Sequence, residues 1–87
     1  MFVILSYDVN EKRVLKANSV CSKYLFWILN SVFYGKISKS NFNLLISELK
    51  EVLNPVEDRV ISFCFPTNVK YKIIGFEEIR DEPNILW

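Results

Sequence analysis

The sequence contains no histidine. That absence removes the usual general base near pH 7, the Ser/His and Cys/His nucleophile pairs, and the commonest side-chain ligand of transition metals. Any chemistry must use carboxylates, hydroxyls, Lys, Arg or a thiol. Cysteine is scarce too: Cys21 and Cys64 are too few for an all-cysteine zinc site, have no CxxC spacing and fall in apolar segments. They are expected to be buried free thiols in a reducing compartment. Two glycines and three prolines leave no low-complexity tract or linker, so the 87 residues read as a single domain, 1–87. The apolar opening run is too short for a signal sequence and lacks a basic flank, and no later stretch approaches the ~18 apolar residues of a membrane span. A cytoplasmic protein with no membrane partner is expected.

What the chain does have is an excess of apolar residues. Hydrophobic residues make up 51% of it, with seven Phe, four Tyr and two Trp. A chain this short buries only about 60–65% of the surface its unfolded form exposes. Some of these aromatics are therefore exposed or are covered by a second chain, and a homodimer is expected.

Net charge is +1, but it is unevenly spread. Residues 1–50 carry seven Lys/Arg against Asp8, Glu11 and Glu48, whereas residues 51–87 carry four against seven acids. A symmetric dimer would concentrate two basic stretches on one surface. Two ordinary solvated helix faces would give the same pattern.

The apolar run Phe2 to Asp8 reads as a strand buried in the middle of a sheet. Asn10 is placed to cap a helix over about 11–26, in which Val14, Ala17, Cys21, Tyr24 and Ile28 recur at steps of three and four. Lys12, Arg13, Lys16, Ser19 and Lys23 fall on its other side. Residues 27–37 have strand composition, as one bent strand or two short ones, and Gly35 suggests a bulge or a close backbone approach. Ser38–Lys39–Ser40 begins a second helix with Phe42, Leu45, Ile46, Leu49, Val52 and Leu53 as its apolar stripe, and Pro55 stops it. Arg59 to Phe65 is a strand, Pro66–Thr67–Asn68 a turn, and Tyr71 to Phe76 its hairpin partner. The order predicts an α+β fold, two helices on one face of a mostly antiparallel sheet. The other face, apolar too, would be buried face to face in the dimer. The acidic, then apolar tail, about 77–87, reads as an edge strand added to the partner's sheet, or as a segment folding back on its own chain.

Asp8 ends the first strand, where a fixed backbone delivers a side chain to solvent. One carboxylate makes no Mg²⁺ cage, but Mg²⁺ binds one or two carboxylates and keeps several waters. A twofold axis would supply the second Asp8, and the pair would suit a phosphodiester without histidine. The alternative is a turn residue closing the strand. Lys12, Arg13 and Lys16 suit phosphate contact, which is salt-sensitive and sequence-independent, or else form a solvated face. Phe33 and Tyr34 read as base-stacking platforms or as core.

The opening Phe-Val-Ile-Leu-Ser-Tyr-Asp-Val-Asn (2–10), the basic helix, Asn-Ser-Val-Phe-Tyr-Gly (30–35) and the Asp-Glu-Pro-Asn-Ile-Leu tail, in this order and length, resemble CRISPR-associated protein 2. The resemblance implies a ferredoxin-like two-layer fold in a homodimer, with sheets facing each other and the C-terminal segment crossing to the partner. It implies a role in spacer acquisition, in which the dimer sits between integrase dimers of CRISPR-associated protein 1 and its basic surface holds double-stranded DNA. It also implies a Mg²⁺- or Mn²⁺-dependent endonuclease activity on single-stranded RNA or double-stranded DNA, described for some members. The family's metal-binding aspartate maps onto Asp8, and Tyr7 and Phe33 match further motif positions, which makes them catalytic candidates. The acidic residue usual after Ser-Val-Phe-x-Gly is here Lys36, which favours a nucleic-acid surface and leaves metal binding dependent on the dimer. Two other readings stay open: a ribonuclease toxin on the same fold, and a protein-interaction module.

Overall fold

The computed structural model describes residues 1–67 and Lys70. The expected strand Tyr71 to Phe76 and the expected dimer-crossing tail 77–87 lie outside the described residues. Strand β1 (Phe2–Asp8) leads through a single 3₁₀ turn (Glu11–Arg13) into helix α1 (Val14–Ser22). Strands β2 (Phe26–Leu29) and β3 (Val32–Lys36), helix α2 (Lys39–Val52) and strand β4 (Arg59–Phe65) follow. The four described strands form one sheet in the order β2-β3-β1-β4, with every pairing antiparallel. This is the ferredoxin-like α+β arrangement.

α1 is shorter than its spacing predicts. The Asn10 side chain accepts from the Lys12 N–H at 3.0 Å, so it caps the 3₁₀ turn and not the α-helix. At the other end the Tyr24 and Leu25 N–H groups close onto the Cys21 carbonyl, and Phe26 enters a strand. The run Phe-Trp-Ile-Leu pairs with β3 instead of extending the helix, as aromatic and branched side chains favour. The region 27–37 is thus two strands, joined at Asn30 and Ser31. Asn30 takes a positive φ of 43°, and its carbonyl accepts from Trp27 Nε1 at 2.9 Å. The bulge falls in β2 between Trp27 and Leu29. Gly35 marks the close approach instead: its φ is +154° and a Cβ there would sit 3.4 Å from Leu25 Cδ2.

α2 follows its sequence pattern. The Ser38 hydroxyl accepts from the Asn41 N–H at 3.1 Å, Leu45 and Leu49 are buried, and Phe42, Ile46, Val52 and Leu53 pack beside them. The core lies between sheet and helices, from Val3, Leu5, Tyr7 and Phe33 on one side to Ala17, Val20, Cys21, Leu45 and Leu49 on the other. Cys21 is buried as expected, and burial pushes its thiol up to about 12, so it stays neutral. Cys64, by contrast, is exposed, because β4 is at the edge of the described sheet.

Phe33 is 1% exposed and its ring lies 6.2 Å from that of Tyr7, at 26°. Truncating a core Phe costs about 3–5 kcal/mol through lost burial and the cavity left behind. Phe33→Ala should accordingly lower the urea midpoint sharply, and an unaltered midpoint would mean that the ring does not hold the layers together.

Candidate functional site

Successive residues of a strand point to opposite faces, and at the end of β1 this separates two neighbours. Tyr7 faces the helices: it is buried, its hydroxyl donates to Asn18 Oδ1, and burial raises its pKa. Asp8 is exposed on the other face, across the ladder from Arg59. Tyr7 and Phe33, matched to motif positions in the sequence, therefore lie together in the core, on the side of the sheet away from Asp8. In place of catalytic groups at Asp8, they are packing residues behind it.

The face that carries Asp8 is apolar along most of its length. On it, Tyr34 is fully buried, with Phe2 and Phe26 rings 6.2 and 5.7 Å away. Toward its edges Ile61, Phe63, Phe26 and Leu29 are about half exposed. No group of three His, Cys, Asp or Glu side chains among the described residues could hold a metal ion. Among the described residues, what one chain offers on this face is the hard oxygen ligand Asp8. That donor suits Mg²⁺, which takes one or two carboxylates and fills its remaining positions with water and phosphate. A second Asp8 across a twofold axis would complete the pair.

The basic candidates divide. Lys12 and Lys16 are exposed near the end of the molecule where β1 ends. Lys36 is exposed too, but it pairs with Phe2 at the opposite end of β1, about 20 Å from Asp8 at ~3.3 Å per residue. Arg13 departs from the sequence reading altogether. Its Nε donates to Asp58 Oδ2 at 2.7 Å, and its Nη2 reaches Asp58 Oδ1 at 3.2 Å and Glu57 Oε2 at 2.5 Å. With two carboxylates already bound in the fork geometry that guanidinium prefers, Arg13 is an internal clamp and not a phosphate ligand. Lys23 likewise pairs with Glu48, which also accepts from the Tyr24 hydroxyl.

Asp58 and Arg59 are the neighbours of Asp8 that sequence reasoning missed. Within Asn-Pro-Val-Glu-Asp-Arg they look like an ordinary charged turn, and only the β1–β4 register brings them beside β1. A usable signal was the turn-forming Asn54–Pro55 immediately before, which gives an aspartate four residues on a backbone N–H to cap.

Residues 1–73 match the family model described as CRISPR associated protein Cas2. The chain is 40% identical over 85 residues to a CRISPR-associated endoribonuclease Cas2 of Dictyoglomus turgidum, covering 94% of this chain and 97% of the relative. It is 43% identical over 83 residues to the protein of that name in Thermotoga maritima, covering 93% and 95%. A solved structure described as that of cas2 superposes with a TM-score of 0.81 at 36% identity, covering 94% of each chain.

Proposed function

The chain belongs to the CRISPR-associated Cas2 family, and we propose that it works as a homodimeric nucleic-acid adaptor for the CRISPR-associated protein 1 integrase. In this reading it also has a Mg²⁺- or Mn²⁺-dependent endonuclease centre formed by two Asp8 side chains. The observation that carries the reading is the position of Asp8: exposed at the end of β1, on the same sheet face as half-exposed Ile61 and Phe63. Burying that face against a second copy would cover the apolar surface and bring two carboxylates toward one axis. The name endoribonuclease, carried by the relatives, points to phosphodiester hydrolysis of RNA, and the exposed Lys12, Lys16 and Lys36 suit either RNA or duplex DNA.

A bound Mg²⁺ would supply charge neutralisation at the phosphoryl oxygens and acidify a water. The protein's part is to hold Asp8 on a rigid strand end and to neutralise flanking phosphates with lysines. No helix among the described residues is long and apolar enough to cross a membrane, and the reading places the protein in the cytoplasm.

The test combines sedimentation with cleavage. The full chain should sediment as a dimer, be retained by the integrase together with a duplex, and cut single-stranded RNA or double-stranded DNA only when Mg²⁺ or Mn²⁺ is present. A monomer at micromolar concentration would remove the shared site. Tyr7→Phe should cut at the wild-type rate, because the missing hydroxyl faces Asn18 on the helix side. A loss comparable to that of removing Asp8 would bring the tyrosine into the reaction.

A further inference from the structure

Asp58 is the one charged residue that is buried among the described residues, and its side chain is 1% exposed. Four donors converge on its two oxygens. Oδ1 accepts the Asn10 N–H at 3.0 Å and Arg13 Nη2 at 3.2 Å; Oδ2 accepts Arg13 Nε and the Asn54 N–H, both at 2.7 Å. These bonds hold the carboxyl well below the usual carboxylate range. With both oxygens so occupied, Asp58 is poorly placed to serve as a ligand itself.

What these bonds connect is informative. Asn10 lies two residues beyond Asp8, in the segment that leaves β1, while Asp58 immediately precedes Arg59, the cross-strand partner of Asp8. The cluster therefore ties together the chain leaving Asp8 and the chain entering the strand beside it. The β1–β4 ladder has its last rung at Asp8 and Arg59, and a terminal rung frays unless something beyond it is fixed.

We propose that Asp58, held by Arg13, is a positioning residue for Asp8: the pair locks the strand end so that the Asp8 carboxylates of two protomers meet a divalent cation in register. The inference rests on the shared-metal reading above. It reassigns Arg13 from the phosphate backbone to the support of the metal ligand. Groups that orient a ligand without touching the metal typically affect metal affinity by about 10–100-fold, because a ligand must be held within roughly 0.5 Å of its working position.

The experiment measures Mn²⁺ affinity of the full-length homodimer by electron paramagnetic resonance of the free ion, and duplex binding against salt in parallel. Wild type should bind Mn²⁺ and Asp8→Asn should not. Arg13→Gln and Asp58→Asn, folded by circular dichroism, should bind Mn²⁺ about 10–100-fold more weakly. Arg13→Lys, which restores charge without the two-pronged fork, should fall between Arg13→Gln and wild type. The salt slope of Arg13→Gln should equal that of wild type. A folded Arg13→Gln dimer with wild-type Mn²⁺ affinity would overturn the proposal while leaving the Asp8 site standing, and a shallower salt slope would return Arg13 to the phosphates. Wild type that binds Mn²⁺ no better than Asp8→Asn would overturn the shared site, and the proposal with it. Failure of all three support variants to fold would make the cluster a requirement of the fold and overturn its positioning role.

Discussion

Asp8→Asn is expected to reduce metal-dependent cleavage to the level seen with a chelator. Asparagine has nearly the shape of aspartate and is accepted at a strand end, so the substitution removes charge and little else. Among the described residues Asp8 is the carboxylate that one protomer offers on this face, and in a dimer both copies are lost together. Metal polarisation of a phosphoryl oxygen is worth several kcal/mol in the transition state, and each ~1.4 kcal/mol is tenfold, so the loss should be on the order of a thousandfold or more. The dimer should survive. Without metal, two carboxylates facing each other across an axis repel, so the neutral variant should dissociate no more readily than wild type, and sedimentation in a chelator would check this. Cleavage that persists in the variant would place the chemistry elsewhere.

How far the sequence reveals this arrangement depends on whether the deciding contacts are local. α2 is legible because everything that defines it is nearby: Ser38 caps it, an apolar stripe runs along it and Pro55 follows it. β4 runs from Arg59 to Phe65 as its composition predicts. The end of α1 is not legible, since Tyr24 and Ile28 continue the helical spacing while cross-strand pairing with β3 decides the outcome. The same distinction governs the site. Asp8 can be found from its own neighbours, as the first carboxylate after a buried strand. The separation of Tyr7 from Asp8 follows from strand alternation alone, although a shared motif obscures it. Arg13 cannot be read this way. Its partners Glu57 and Asp58 lie 44 and 45 residues further on, and a basic residue beside Lys12 in sequence looks like part of the same exposed face until the β1–β4 register brings them together.

The triple substitution of Lys12, Lys16 and Lys36 to Gln should remove most of the salt dependence of duplex binding. These lysines are exposed and enter none of the ion pairs found among the described residues, in contrast to Arg13 and Lys23. A net charge of only +1 gives little long-range attraction, so binding must come from local phosphate contacts. Each contact contributes about −0.9 to the slope of log affinity against log salt, and six from a dimer correspond to a loss of about a thousandfold between 50 and 200 mM salt. The wild-type dimer should follow that line, and the triple variant should be nearly flat. Lys36 stands at the far end of β1 from Lys12 and Lys16, so the two groups meet different phosphates and their effects on the slope should add. A duplex long enough to run between them should show both effects, whereas a shorter one should lose sensitivity to Lys36→Gln first. An identical slope for wild type and Lys36→Gln on the long duplex would confine the nucleic acid to the end of the molecule where α1 begins.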